Sequence, residues 1–189
     1  MPAREAITGI VLAGGRGSRM GGLDKGLQLH RGRPLAMLAL ERLAPQVGSM
    51  MISANRHLDV YAGFGVPVHA DSIEGQQGPL AGLLTGLVHA STPWLAAVPC
   101  DAPGFPIDLV ARLAAAVGDA PLAIAVGARR HPVFCLLRTS LREALARDLA
   151  AGERRVERWV LAQRAVEVPF DDEAAFANLN TAADLRDAA

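Results

Sequence analysis

An apolar run, Ile7 to Ala13, leads into Gly14-Gly-Arg-Gly-Ser-Arg-Met-Gly-Gly-Leu-Asp-Lys25, a stretch with five glycines, two arginines and a lysine. Glycine lets a backbone turn with positive φ and approach a ligand closely. Consecutive free N–H groups in such a turn form a concave anion site. Arg16, Arg19 and Lys25 set full positive charges beside it. The chemistry suggested is a nucleoside triphosphate held by its phosphates, with Lys25 and Arg19 offsetting charge on a transferring group. The stretch does not open a helix as a Rossmann G-x-G-x-x-G does, and no G-K-[ST] closes it as in a Walker A loop. A plain loop carrying surface arginines is the alternative.

Other candidates lie downstream. Asp101 ends the apolar run from Trp94 to Cys100 and precedes Ala-Pro-Gly-Phe-Pro. A carboxylate at a strand end suits magnesium, which would bridge it to phosphate oxygens; capping the helix after Pro106 is the other reading, though Asp108 lies nearer that task. Asp71 either accepts hydrogen bonds from a base or ribose or caps a turn with Ser72. Gly78-Pro-Leu-Ala-Gly82 is a close backbone approach to a flat ligand or a simple turn and helix start. Arg154 and Arg155, within Gly152-Glu-Arg-Arg-Val156, face an anionic cosubstrate or are ordinary surface charge. His131-Pro132 and Asn178-Leu-Asn180-Thr181 line a cleft or form turns. No H-E-x-x-H or G-x-S-x-G is present, and no general base accompanies Cys100. Phosphoryl and nucleotidyl transfer need positioning and charge neutralisation rather than a covalent nucleophile.

The elements that must position these groups alternate. Strands are predicted at Ile7–Ala13, Met50–Ala54, Val66–Ala70, Trp94–Val98, Leu122–Val126, Val133–Leu137 and Val166–Phe170. Helices are predicted at Pro34–Ala44, Leu80–Ala90 and Pro106–Val117, along the Leu141, Leu145 and Leu149 stripe, and over Glu153–Gln163. Thr181 would cap a final helix with Asp184 at its third position. Such alternation implies a three-layer α/β fold, a Rossmann-like and mainly parallel sheet with helices on both faces. The turn at His131-Pro132 suggests that Val133–Leu137 is an antiparallel edge strand. Ligands in such sheets sit beyond the carboxyl ends of the strands. That rule gathers the Gly14–Lys25 loop, Asn55, Asp71 and Asp101 on one rim.

Composition sets the outer limits. The 189 residues suit one domain, 1–189. Hydrophobic residues make up 51% and aromatic ones 4%, so Leu, Val and Ala must build the core. A formal net charge of +0 offers no basic field for nucleic acid. Cys100 and Cys135 make no metal spacing and read as buried free thiols in a reducing compartment. No charge-free apolar stretch reaches about 18 residues, so no membrane span is expected, and no secretory signal is evident. A cytoplasmic protein is the expectation.

The segment Leu12-Ala-Gly-Gly-x-Gly-x-Arg-Met-Gly-Gly-x-Asp-Lys-Gly-Leu27 resembles the signature of molybdenum cofactor guanylyltransferases. The likeness continues in order through Ala54-Asn-Arg-His57, Asp71-Ser72, Gly78–Gly82, Pro99-Cys-Asp101, Gly152–Val156 and Asn178-x-Asn-Thr181. It implies a nucleotide-diphospho-sugar transferase-like fold and transfer of GMP from GTP to the terminal phosphate of molybdenum-bearing molybdopterin, with Mg2+ as cofactor and pyrophosphate as product. It implies a GTP site at Leu12, Ala13, Gly14, Gly15, Lys25, Ser53, Asp71 and Asp101, with Arg19, Lys25 and Asp101 catalytic and Asp101 on the metal. A cosubstrate side at His131, Arg154, Arg155, Asn178 and Asn180 follows in the same way, as does transient contact with cofactor-biosynthesis proteins or apo-molybdoenzymes.

Many members of the family this chain resembles carry asparagine where it has Ser53. A hydroxyl cannot replace both amide functions, so base reading at that position passes to Asn55 or backbone, or guanine selectivity falls. Cytidylyl transfer to the same cofactor, sugar-1-phosphate nucleotidyl transfer and a non-catalytic cofactor-binding chaperone are the competing functions.

Overall fold

The computed structural model describes residues 1–14, 24–71 and 78–180. The expectations for Gly15, Arg16, Arg19, Ser72 and the helix capped by Thr181 lie outside the described residues.

Among the described residues, nine strands and six α-helices follow in sequence: β1 (Ile7–Leu12), β2 (Leu29–His30), β3 (Arg33–Pro34), α1 (Leu35–Leu43), β4 (Ser49–Ser53), α2 (Leu58–Ala62), β5 (Val68–His69), α3 (Pro79–His89), β6 (Trp94–Pro99), α4 (Leu109–Ala116), β7 (Leu122–Val126), β8 (Arg130–Arg138), α5 (Arg142–Ala150), α6 (Val156–Ala162) and β9 (Val166–Pro169). β2 and β3 form a small hairpin, and the other seven make one sheet in the order β5-β4-β1-β6-β8-β7-β9. β1 pairs in parallel with β4 and β6. Covered on both faces, it reads as an unbroken apolar run rather than an alternation.

Successive side chains along each strand feed opposite cores. Trp94, Ala96 and Val98 of β6 meet α1, α4 and Tyr61 of α2, whereas Leu95 and Ala97 meet α3, α5 and α6. This gives the expected three layers. The narrow aromatic content is concentrated: Phe105, Phe134, Phe170 and Phe176 pack in one chain of ring contacts.

Two expectations are corrected. β8 is antiparallel, but it lies inside the sheet between β6 and β7 rather than at an edge. His131 and Pro132 belong to β8 itself; the reversal falls at 127–129, and the register with β7 shifts between Ile124 and Ala125. Gly152, at a φ of 96° that favours a residue free of Cβ strain, separates α5 from α6.

Candidate functional site

The carboxyl ends of β1, β4, β5 and β6 meet on one rim, as the strand-end rule requires. A cleft of about 540 Å³ opens there, lined by Leu12, Ala13, Gly14, Lys25, Ser53, Asp71, Pro99 and Asp101, among others. That volume falls in the range of small-molecule and cofactor sites.

Lys25 starts a short turn of 3-10 helix beyond β1, and Asp101 follows β6. Seventy-six positions apart, they meet as an ion pair, with Lys25 Nζ 2.6 Å from Asp101 Oδ2. Lys25 also donates to the side-chain carbonyl of Asn180. The backbone N–H of Leu179 donates to Asp101 O at 2.7 Å, which binds the Asn178–Asn180 segment across the end of β6. Lys25 is the chain's sole lysine, and its ammonium meets side chains from two distant segments, Asp101 and Asn180.

Asp71 is the second centre. Its Oδ1 accepts from Ser53 Oγ at 2.9 Å and lies 3.3 Å from Thr85 Oγ1. Its Oδ2 accepts from Asn55 Nδ2 at 2.7 Å, while its own N–H donates to Asn55 Oδ1 at 2.8 Å. Asn55 therefore joins the end of β4 to the end of β5 through both amide functions. Ser53 is fully buried, and its hydroxyl faces Asp71. A Cβ at Gly82 would sit 3.0 Å from Leu12 Cδ2 and 3.2 Å from Ser53 Oγ, so the first turn of α3 packs directly on this network.

The β7–β8 hairpin builds the opposite wall. Because β8 runs antiparallel, its start rather than its end faces the cleft, and Arg129, Arg130, His131, Pro132, Val133 and Phe134 all line it. His131 is 7% exposed. Its ring stacks on Phe176 at 4.5 Å, and its Nε2 lies 3.1 Å from Glu173 Oε2. Hydrogen bonds from His131 and from the Ala128 N–H hold the Glu173 carboxyl below the usual glutamate range. Arg130 pairs with Glu167 at 2.8 Å and with Glu157 at 3.5 Å.

The structure brings Leu12, Ala13, Gly14, Lys25, Ser53, Asp71, Asp101, His131 and Asn178 to one cleft, with Asn180 on Lys25. Arg154 is placed elsewhere. Its Nη1 donates to the carbonyls of Leu149 at 2.8 Å and Glu153 at 2.6 Å, so it caps the C-terminus of α5. The spacing of Gly-Glu-Arg-Arg carries both a cap and a ligand reading, and the first of its arginines is taken by the cap. Arg155 stands at the N-terminus of α6, two residues before the cleft-lining Glu157. The Glu153 carboxyl accepts the N–H groups of Arg155 and Arg154, which hold it below its ordinary range.

Thr85, Arg129, Arg130 and Glu157 are among the members of this region that sequence reading missed, as is Tyr61, whose hydroxyl donates to Asp24 next to Lys25. Thr85 follows Gly82 by three positions on α3, a helical spacing that points it toward the same face. Arg129 and Arg130 precede the His131-Pro132 pair.

A mainly parallel sheet with a glycine-rich strand end, and a lysine and an aspartate facing each other at its carboxyl rim, is the architecture of an α/β nucleotidyltransferase. A family model described as MobA-like NTP transferase domain matches residues 9–168. The molybdenum cofactor guanylyltransferase of Cupriavidus taiwanensis is 53% identical over 194 residues, covering 98% of both chains. That of Bordetella petrii is 54% identical over 187 residues, covering 95% of both. Among solved structures, molybdopterin-guanine dinucleotide biosynthesis protein A from Archaeoglobus fulgidus superimposes with a TM-score of 0.75 at 20% identity, covering 95% of each chain, a likeness of fold. The chain belongs to the MobA-like NTP transferase family.

Proposed function

We propose that this protein transfers GMP from GTP to the terminal phosphate of molybdenum-bearing molybdopterin. The product is the guanine dinucleotide form of the cofactor, and pyrophosphate leaves. The relatives at more than half identity carry guanylyl transfer to this cofactor in their names. The observation that carries the reading onto this chain is the Lys25–Asp101 pair across the cleft at the ends of β1 and β6.

The residues divide the work by position. The backbone of Leu12, Ala13 and Gly14, with Gly15 beyond, holds the nucleotide; the Ala13 N–H is itself given to the Ser53 carbonyl at 2.8 Å, so the close approach falls to Gly14 and the residues after it. Lys25 and Arg19 bear on its charge. Asp71, fixed by Ser53 and Asn55, presents an oriented acceptor to the nucleoside. Ser53 thus acts through Asp71 rather than on the base, and guanine reading falls to other groups of the rim. A terminal phosphate oxygen of the cosubstrate forms the new bond to the α-phosphorus of GTP as the α–β bridge breaks. That oxygen is already anionic, so no strong general base is required. His131, Arg155, Asn178 and Asn180 border the cosubstrate side.

The donor set near Lys25 fits magnesium. The Asp101 carboxylate and the Asn180 side-chain carbonyl converge on one ammonium, so two hard oxygens already surround a single positive charge. Magnesium takes one or two protein oxygens and completes its shell with phosphate oxygens and water. Bound there by Asp101 and Asn180, it would supply charge neutralisation for the α-phosphate and the leaving pyrophosphate.

A single domain over 1–189, a cytoplasmic location and transient hand-over to apo-molybdoenzymes or other cofactor-biosynthesis proteins belong to the same proposal. Among the described residues no helix is long and apolar enough to cross a membrane. Pyrophosphate release with loaded cofactor and magnesium tests the reading. GTP is expected to turn over faster than CTP; faster turnover with CTP assigns cytidylyl transfer, and turnover of a hexose phosphate without pterin assigns a sugar-phosphate transferase.

A further inference from the structure

We infer that Tyr61 is a positioning residue for Lys25, acting through Asp24. The inference rests on the nucleotidyl-transfer reading only for its kinetic readout. Tyr61 is the chain's sole tyrosine and is fully buried. It comes from α2, on the connection after β4, far in sequence from the loop that carries Lys25. Its hydroxyl donates to Asp24 Oδ1 at 2.6 Å.

Asp24 is itself only 8% exposed. The same Oδ1 accepts the Gly26 N–H at 3.1 Å, and the Asp24 carbonyl accepts from Leu27 N at 3.2 Å and Gln28 Nε2 at 3.3 Å. Lys25 therefore lies between the residue that bears this buried carboxylate and Gly26, whose N–H the carboxylate accepts. Burial pushes the Tyr61 phenol far above its ordinary pKa, so it remains protonated and donates. A Cβ at Gly26 would collide with the Tyr61 hydroxyl and lie 3.3 Å from Ala13 Cβ. The tyrosine tip thus occupies the space of a missing side chain beside Lys25.

These contacts set where the lysine stem leaves the backbone. From there the side chain reaches Asp101 at 2.6 Å. A reacting centre displaced by about 1 Å costs on the order of 10²-fold in rate, so a support of this kind governs turnover more than nucleotide affinity. A purely structural Tyr61 would instead change stability and leave the lysine where it is.

The sole lysine makes the test direct, because an amine-selective acylating reagent can modify only Lys25 and the N-terminus. Tyr61→Phe removes one oxygen and keeps the ring. Acylation of Lys25, followed by mass spectrometry of the peptide that contains it, is expected to run several-fold faster in this variant than in the unmodified protein. In pyrophosphate release, kcat is expected to fall about tenfold with KM for GTP within about twofold. Combining Tyr61→Phe with Asp24→Asn should cost no more kcat than the worse single change. If Tyr61→Phe does not fold, Asp24→Asn alone carries both measurements, since it alters the other end of the same bond. An unchanged acylation rate overturns the inference, as does a loss confined to thermal stability. A wild-type protein inactive with GTP removes the functional reading but leaves the acylation comparison in force.

Discussion

Replacing Ser53 by alanine separates two accounts of the nucleotide end of the cleft. In the structure the Ser53 hydroxyl is buried and donates to Asp71 Oδ1 at 2.9 Å. Its removal leaves that oxygen with Thr85 Oγ1 at 3.3 Å, a hydroxyl that also lies 3.0 Å from the Ala81 carbonyl and has one proton to give. A hydrogen bond to a charged group contributes about 1.5–3 kcal/mol. Asp71 is only partly buried, so water can replace some of the loss, and the lower end, about 1.5 kcal/mol, applies. At this chain length each kcal/mol moves the thermal midpoint by about 2–4 °C, giving a fall of roughly 3–6 °C. KM for GTP and for CTP should rise together, with the ratio of their kcat/KM values within about twofold of the parent, since the hydroxyl acts on Asp71 and not on a base edge. Scanning calorimetry and pyrophosphate release on one preparation measure both quantities. A tenfold fall in GTP preference with an unchanged midpoint would refute the reasoning and return Ser53 to the base.

Asp101→Ala should retain its far-ultraviolet circular dichroism and lose transfer by more than ~10²-fold, the scale of removing a charge clamp from a transition state; near-normal turnover takes Asp101 out of the mechanism. Arg154→Ala should lower the thermal midpoint by a few degrees through loss of its cap on α5, a change of about 1 kcal/mol, while KM for the cosubstrate stays put; a raised KM with an unchanged midpoint would place Arg154 at the cleft after all. Burial pushes the Cys135 thiol up to about 12, and Cys100 is raised further by burial and by the charge of Asp101. Neither should react with a thiol reagent at pH 8 until denaturant is added; rapid labelling of native protein would contradict that burial.

The parallel half of the sheet is legible in the sequence because β1 and β6 are mostly apolar on both faces and lead, two residues on, into Gly14 and Asp101. The rule that ligands collect beyond strand ends then sufficed to gather Lys25, Asp71 and Asp101. What escaped depended on contacts remote in sequence. A visible turn suggests an edge place for β8, while the residues of β6 that pair with it, such as Ala96 with Leu136, lie some forty positions back in the chain. α2 has five residues, too few for a periodic stripe, and so Tyr61 had no assigned element. The convergence of Ser53, Asn55 and Thr85 on one carboxylate has no local signal at all. Arg154 shows the opposite difficulty, in that a cap and a ligand demand the same residue type.

The reversed direction of β8 gives the cleft two walls of separate origin. In the proposed reading the ends of β1, β4 and β5 serve the nucleotide, whereas the far wall comes from the tip of one hairpin. Insertions or exchanges at residues 127–129 can therefore reshape acceptor preference without disturbing the donor half. A library confined to that tip is a route to variants that decorate altered pterins while still consuming the same triphosphate.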